Sequence, residues 1–187
     1  MTKPVVFDLD DLCDLWDPYE RLLEWKERVP GGRVTLFTIP RRSSDALLAK
    51  YAALPWVDLA MHGWWHHRGE CLWWAKDKTA ERLKVWEDAG FARIFKAPGW
   101  ESNKEVHDAC FDRGWIVAEH VRNRPLWEGR SNVYVYNRPL RRQKFMPLHG
   151  HTHDTQGNGV AEKFEMFCAP SDAAFLPMNH DVCNAVA

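Results

Sequence analysis

The stretch VVFDLDDLCDLWD, residues 5–17, combines a run of apolar side chains with closely spaced acidic ones. Its first six residues, 5–10, have the β-branched and aromatic composition of a short strand buried in a sheet. Asp8, Asp10 and Asp11 lie at the end of this strand, where an unpaired carboxylate is costly to bury. The sequence therefore predicts a buried first strand that leads into a functional site.

Predicted strands and helices alternate along the rest of the chain. Further strands are predicted at residues 33–40, 57–63, 92–100 with its loop, 115–120, 131–137, 144–151 and 174–182. Helices are predicted at residues 12–29 with a break near Pro18, 43–54, 77–90, 102–114 and 159–170. Alternation of this kind predicts βα units and a largely parallel sheet, either an incomplete barrel or an open doubly wound sheet. No GxGxxG or Walker A motif is present, which disfavours a nucleotide-binding sheet.

Composition limits the class of protein. The chain has 187 residues, 45% of them hydrophobic and 27% charged, with a net charge of −1, so we expect one globular domain over residues 1–187 and no nucleic-acid partner. The five cysteines form no CxxC pair, and no signal peptide or run of membrane-spanning length is recognisable. These features predict a cytoplasmic protein without a membrane span, and they do not specify its oligomeric state.

Polar side chains cluster at the carboxyl ends of the predicted strands. The residues concerned are Asp8, Asp10, Asp11, His62, His66, His67, Glu70, Lys96, Glu119, His120, His149, His151, His153 and Asp154. In α/β barrels and sheets these strand ends converge on one face, and active sites form there. The sequence therefore predicts one polar site that draws on residues far apart in the chain.

The spacing of two histidines points to a metal ion. His62 and His66 are four residues apart, so that on a helical turn both imidazoles can face one point. A carboxylate from the first strand would complete a set of two histidines and one acid, which is typical of catalytic zinc or another first-row divalent ion. Adjacent carboxylates could divide two tasks, one binding the metal and the other accepting a proton from metal-bound water.

The motifs resemble, in order, those of the NodB-homology polysaccharide deacetylases, carbohydrate esterase family 4. The matching segments are LDDL (9–12), HGWWH (62–66), KAPGW (96–100), DRGW (112–115) and LHGH (148–151). The sequence departs from the family pattern at Gly63, where Ser or Thr is usual, and at Lys96, where Arg is usual. The resemblance covers residues 5–153 and identifies the chain as a short, divergent relative.

The resemblance implies a distorted, incomplete (β/α)7 barrel and removal of an acetyl group from an N-acetylated sugar or polysaccharide. It implies one divalent ion, with Zn²⁺ preferred over Co²⁺, Ni²⁺ or Mn²⁺. The implied ligands are Asp11, His62 and His66. The implied catalytic residues are Asp10 as the general base, Lys96 as the group that orients it, and His149 or His151 as the general acid.

Substrate contacts are expected from aromatic and strand-end residues. The chain has 11 tryptophans, whose faces can stack on sugars or fill a core. The expected substrate-binding residues are Trp65, Pro98, Gly99, Trp100, His120 and His153. His107, in the middle of a predicted helix, is expected at the surface.

Two alternatives to a deacetylase remain open. The segment HGHTHD (149–154) also resembles the histidine-rich motifs of phosphoesterases and amidohydrolases, for which several metal ions would be expected. The chain could also be a catalytically degenerate relative that binds sugar through its tryptophans. Metal content separates these alternatives from a deacetylase with a single ion.

Overall fold

Seven parallel strands form a sheet that curls into a nearly closed, distorted (β/α)7 barrel in the computed structural model. The structure describes residues 4–136, 146–155, 174–179 and 183. The strands are β1 (Val5–Leu12), β2 (Val34–Thr38), β3 (Val57–His62), β4 (Ile94–Lys96), β5 (Ile116–His120), β6 (Val133–Tyr136) and β7 (Met146–His151). Their spatial order is β6-β5-β4-β3-β2-β1-β7. The barrel is thus confirmed and the open sheet excluded.

The described helices lie between the strands, as the alternation predicts. They are α1 (Tyr19–Arg28), α2 (Asp45–Ala52), α3 (Lys76–Asp88), α4 (Lys104–Asp112) and α5 (Arg124–Trp127). Side-chain caps fix two of their starts, because Ser44 accepts a hydrogen bond from the Leu47 N–H and Asn103 accepts one from the Val106 N–H.

The helix predicted over residues 12–29 is shorter than expected. β1 continues through Leu12, and a bridge between Cys13 and Trp16 closes a turn, so that α1 begins only at Tyr19. Pro18 favours an extended residue before it, which explains why the helix cannot extend back to residue 12.

Strand β1 lies between β2 and β7, and all eight of its residues are buried. Its side chains alternate between two environments, as the strand geometry requires. Phe7 packs against Trp25 of α1 with ring centroids 5.1 Å apart, on the outer, helix-covered face. Asp8 and Asp10 therefore point to the interior of the barrel.

The two edge strands of the sheet face each other across the barrel interior. The rings of Tyr136 in β6 and His149 in β7 have centroids 5.4 Å apart, and the Tyr136 hydroxyl donates a hydrogen bond to Asp8 of β1. This contact places the carboxyl ends of β1, β6 and β7 around one space.

The remaining predictions concern the C-terminal part of the sequence. The predicted helix at 159–170 lies outside the described residues. Of the predicted strand at 174–182, the described residues form a single parallel bridge, between Phe175 and Val5. In the described parts of the chain, no helix is both long and apolar enough to cross a membrane.

Candidate metal and catalytic site

A distortion of β1 brings two adjacent carboxylates to the same side of the sheet. The register between β1 and β2 shifts between Leu9 and Leu12, and Asp11 has a φ of +72°, which is uncommon and strained for a residue other than glycine. Neighbouring side chains of a regular strand would point to opposite faces. Here Asp10 Oδ2 and Asp11 Oδ1 lie 3.8 and 3.4 Å from the same atom, His62 Nε2.

Asp11, His62 and His66 form a candidate metal-binding group. One potential ligand atom from each lies within 4.8 Å of the others, and His66 Nε2 is 2.9 Å from Asp11 Oδ1. Asp11 Oδ1 is buried and accepts no hydrogen bond of normal geometry from the described residues. An unsatisfied carboxylate oxygen beside two imidazole nitrogens is the donor set expected around a divalent ion. The residues present therefore fit the metal that the sequence predicts.

The tautomer of His62 supports the same interpretation. His62 Nδ1 lies 3.0 Å from the backbone carbonyl oxygen of Lys96, and because a carbonyl oxygen only accepts, Nδ1 carries the proton. Nε2, which faces Asp11, is then the nitrogen available to a metal ion, and a ring orientation fixed in this way is typical of metal-binding histidines. Burial raises the pKa of Asp11, but its contacts with His62 and His66 outweigh burial and hold this pKa well below its usual range.

Glu70 holds the loop that carries His66, a role that the sequence did not reveal. Its carboxylate accepts hydrogen bonds from the backbone N–H groups of Trp64 (2.9 Å), Trp65 (3.1 Å) and His66 (2.9 Å). Gly63 has a φ of +61°, and a Cβ on it would lie 2.2 Å from Glu70 Oε1. A Ser or Thr at position 63 would therefore displace Glu70, which explains the glycine.

We expect Glu70→Gln to weaken metal binding about 10- to 100-fold, the range seen when a partner that orients a metal ligand is lost. The amide cannot accept three N–H groups as the carboxylate does, so the loop would no longer fix His66. Titration with Co²⁺ measures the affinity, and Glu81→Gln, an exposed acid on α3, is the matched control. An affinity equal to that of the control would contradict this role.

Lys96 is fully buried, and its ammonium group joins two of the acids. Lys96 Nζ donates to Asp8 Oδ1 at 2.9 Å and to Asp10 Oδ1 at 2.6 Å. Three ring faces surround it, with centroids 4.2, 4.5 and 4.8 Å from Nζ, those of Phe37, Tyr136 and Trp100. The three buried carboxylates and one ammonium leave a net charge of minus two with neutral histidines, which one divalent ion would balance.

The histidines on and after β7 face different acids. In the sheet register Asp8 pairs with His149 and Asp10 with His151. His149 Nδ1 lies 2.7 Å from Asp8 Oδ1, and Asp10, His149 and His151 form a second group whose potential ligand atoms lie within 4.8 Å. Burial lowers the pKa of His151.

His153 lies beyond the end of β7, at the rim of the site. Its Nδ1 atom lies 3.2 Å from Asp11 Oδ2, and its ring packs against Trp16 with centroids 5.2 Å apart. The structure therefore brings His153 to the predicted metal ligand.

Of the predicted substrate-binding residues, Trp100 lies beside Lys96 and His149 in the site, and His120 packs against the Trp100 ring. The Trp100 ring lies 4.7 Å from that of Tyr136 and 5.9 Å from that of His120. Trp100 has a φ of +61° and follows the buried Pro98 and the exposed Gly99. Half-buried as it is, Trp100 offers only part of its surface to a ligand.

Trp65 lies on the outer side of the His66 loop. Its side chain is 40% exposed, with the Arg41 guanidinium 4.9 Å from the ring centroid and His67 stacked on it. It is thus available to a ligand, although these contacts lie outside the acidic cluster.

The surface position expected for His107 is wrong. Its side chain is fully buried, with Nε2 2.9 Å from Ser102 Oγ and 3.1 Å from Glu119 Oε2. α4 packs against β5, and Glu119 lies on that helix-facing side of the strand rather than in the site. The polarity of His107 obscured its position on the buried face of α4.

Comparisons with known proteins support the fold. No protein-family model and no curated protein sequence matches the chain. The solved structure of a family 4 carbohydrate esterase from Streptomyces lividans in complex with acetate matches with a TM-score of 0.62 and 13% identity, over 99% of this chain and 97% of that one. A family 4 acetyl xylan esterase from Clostridium thermocellum with a cobalt ion matches with a TM-score of 0.61 and 13% identity, over 98% and 99%.

A third similar structure is a carbohydrate esterase family 4 pseudoenzyme from Bacillus anthracis. It has a TM-score of 0.61 and 12% identity, over 97% of this chain and 66% of that one. At these identities the likeness establishes the distorted barrel of the family 4 esterases, and the chemistry must be argued from the site.

Proposed function

We propose that this chain, which has the fold of the family 4 carbohydrate esterases, is a metal-dependent deacetylase that acts on an acetylated carbohydrate. The observation that carries the proposal is the group formed by Asp11, His62 and His66, with an unsatisfied carboxylate oxygen at its centre. Asp10 lies beside this group and outside its ligand set, as a separate general base would.

A divalent ion held by Asp11, His62 and His66, with Zn²⁺ the first ion to test, would polarise the acetyl carbonyl group and acidify a water molecule. Two histidines and one carboxylate leave coordination positions open for substrate and water. The cobalt ion in the similar acetyl xylan esterase structure is consistent with such a site.

Asp10 is placed to act as the general base. Lys96 binds its Oδ1 atom at 2.6 Å and so fixes the carboxylate. The Oδ2 atom lies 3.8 Å from His62 Nε2 and 3.7 Å from His149 Nε2, facing the space between the metal ligands and β7. A water molecule in that space could give its proton to Oδ2 as it attacks the carbonyl carbon. Lys96 thus takes the orienting role that the resemblance assigns to an arginine.

An acetylated carbohydrate is the substrate class that the relatives favour. The similar structures include an acetyl xylan esterase and a family 4 carbohydrate esterase with bound acetate. Trp100 is a partly exposed aromatic ring beside Lys96 and His149, and aromatic surfaces suit sugar rings. We propose an N-acetylated sugar as the first substrate to test and acetylated xylan as the second.

Acetate release from N-acetylglucosamine oligomers and from acetylated xylan, with Zn²⁺ or Co²⁺ added, tests the proposal. We expect Asp10→Asn to lower kcat by about 10²- to 10⁴-fold while the bound metal is retained, because only the proton acceptor is lost. Asp88→Asn, an exposed acid on α3, is the control. Unchanged activity in Asp10→Asn would rule out Asp10 as the base, and a metal-loaded wild type that releases no acetate would overturn the proposal.

A two-metal hydrolase of the phosphoesterase or amidohydrolase type is the second candidate. The group formed by Asp10, His149 and His151 favours it. The buried ammonium of Lys96 argues against it, because a second divalent ion would give the cluster a net positive charge. One ion per chain would support the deacetylase, and two would support this alternative.

A non-catalytic sugar-binding protein is the third candidate, and the similar pseudoenzyme structure is its precedent. Presence of both the metal-binding group and Asp10 weighs against it. Oligosaccharide binding without acetate release would be its signature.

A further inference from the structure

We infer that the chain has a second, weaker metal-binding site formed by Asp10, His149 and His151, and that an ion bound there inhibits the enzyme. The inhibitory part of this inference rests on the proposed deacetylase function, because Asp10 is the proposed base. The site itself rests on the geometry of the side chains and can be tested by ion binding without turnover.

The ligands of this second site come from two adjacent strands. In the parallel register of β1 and β7, Asp10 pairs with His151, and His149 lies two residues earlier on the same strand face. The two imidazole centroids are 5.3 Å apart. One nitrogen of each histidine and one oxygen of Asp10 lie within 4.8 Å of one another. Two imidazoles and one carboxylate form a donor set that suits Zn²⁺ and other first-row divalent ions.

The contacts of Asp10 and His149 turn one atom of each towards the other. Lys96 donates to Asp10 Oδ1, and Asp10 Oδ2 lies 3.7 Å from His149 Nε2. The other nitrogen of His149, Nδ1, lies 2.7 Å from Asp8 Oδ1. Metal-binding histidines commonly contact a carboxylate through the nitrogen that does not bind the ion. The Asp10 carboxylate and the His149 ring are thus already oriented towards a shared ion position.

An ion can reach this second site while the first is occupied. The His149 side chain is 27% exposed and His151 is half-buried, so that the carboxyl end of β7 leaves both imidazoles open to solvent. The first group, formed by Asp11, His62 and His66, shares no residue with the second. Occupation of one group therefore removes no ligand from the other.

Charge makes the second site the weaker of the two. Lys96 Nζ lies 2.6 Å from Asp10 Oδ1 and 3.4 Å from His149 Nδ1. With neutral histidines, a first divalent ion balances the net negative charge of the buried cluster, and a second ion gives the cluster a net charge of plus two. At such short range this repulsion should weaken binding by at least about 100-fold. Dialysis should then remove the second ion and leave one ion per chain.

An ion in the second site would block the proposed proton transfers. A carboxylate oxygen of Asp10 that binds an ion no longer accepts a proton from water. The same ion occupies a nitrogen of His149 and of His151, the two residues that the family resemblance gives as the general acid. Excess Zn²⁺ should therefore lower the rate of acetate release, although the first ion is needed for it.

Calorimetric titration of the metal-free protein with Zn²⁺ tests the site without substrate. The wild type should bind one ion tightly and a second at least about 100-fold more weakly. His151→Gln should keep the tight ion and weaken the second by at least about 10-fold, because a ligand is lost. His149→Gln should do the same and serves if His151→Gln does not fold. His67→Gln, at an exposed histidine outside both groups, is the control and should bind both ions.

Two results of this titration would overturn the site. One is a wild type that binds a single ion even in large excess of Zn²⁺. The other is a second ion that His149→Gln and His151→Gln both bind as tightly as the control, since that ion would lie elsewhere on the chain.

The rate of acetate release at increasing Zn²⁺ concentration tests the inhibition. The wild-type rate should rise as the first ion binds and then fall, with the midpoint of the fall at the second dissociation constant from the titration. In a histidine variant that still releases acetate, the fall should move to at least about 10-fold higher Zn²⁺. If the wild type with one ion releases no acetate, the proposed function fails, while the titration still decides the site. A rate that stays constant as the second ion binds would overturn the inhibition, and a rate that rises would support the two-metal hydrolase instead.

Discussion

Replacing Asp11 with Asn is expected to remove tight metal binding and acetate release and to make the metal-free protein less stable at neutral pH. Loss of an outer partner of a metal ligand costs about 10- to 100-fold in affinity, and loss of a charged ligand should cost more. Without metal, burial raises the pKa of Asp11, but its contacts with His62 and His66 outweigh burial and lower this pKa overall, so the ionised carboxylate stabilises the folded state. Asn removes this stabilising contribution, although it tolerates the φ of +72° better than most residues.

Thermal unfolding with and without Zn²⁺ measures both effects. The wild type should gain stability on adding Zn²⁺ because the ion binds the folded state, whereas Asp11→Asn should gain little and should start from a lower Tm. His62→Ala should also lose the gain, and Asp88→Asn should keep it. An Asp11→Asn variant that binds one ion as tightly as the wild type would place the metal elsewhere, with Asp10, His149 and His151 as the candidate ligands.

Replacing Lys96 with Met is expected to lower the free energy of unfolding by about 3–5 kcal/mol, the usual cost of leaving a buried charge without its partner. Met fills similar space, so that the charge is the main change. Lys96→Arg keeps the charge and should recover part of the loss, although the larger guanidinium must fit a fully buried position.

The loss caused by Lys96→Met should depend on pH. Burial raises the pKa of Asp8, but the charge of Lys96 and the contacts with His149 outweigh it and lower this pKa overall. A carboxyl group with a lowered pKa stabilises the folded state above its unfolded pKa of about 4, and this contribution is lost as the pH falls through the folded value. Urea unfolding should thus show a larger difference between wild type and variant at pH 7 than at pH 3. If the difference in unfolding free energy between wild type and variant were the same at both pH values, the charge of Lys96 would not compensate that of Asp8.

Much of the fold and the central ligand set could be predicted from local sequence. The alternation of strand and helix patterns predicted the seven parallel strands. The spacing of His62 and His66, together with carboxylates at the end of β1, gave the candidate metal group that the structure assembles.

The positions missed depend on contacts that local patterns do not carry. Glu70 accepts hydrogen bonds from three backbone N–H groups, and a sequence does not show which backbone groups a side chain will contact. The two-residue period of a strand predicts that Asp8 lies on the same face as Asp10. The partners of Asp8, Tyr136 and His149, lie on β6 and β7, far along the chain, and local patterns do not predict such contacts. His107 was misplaced because a buried histidine and an exposed one look alike in a helical pattern.

The acids of β1 also bear on the order in which the chain folds. Asp8 finds its partners 88, 128 and 141 residues later, at Lys96, Tyr136 and His149. On the ribosome this strand emerges before β4, β6 and β7, and its carboxylates must stay hydrated until those strands have been synthesised. Closing such long loops is entropically costly and slows folding. We therefore expect the barrel to close late and in one cooperative step. Strand β1, although fully buried in the folded protein, should be among the last strands to lose its water.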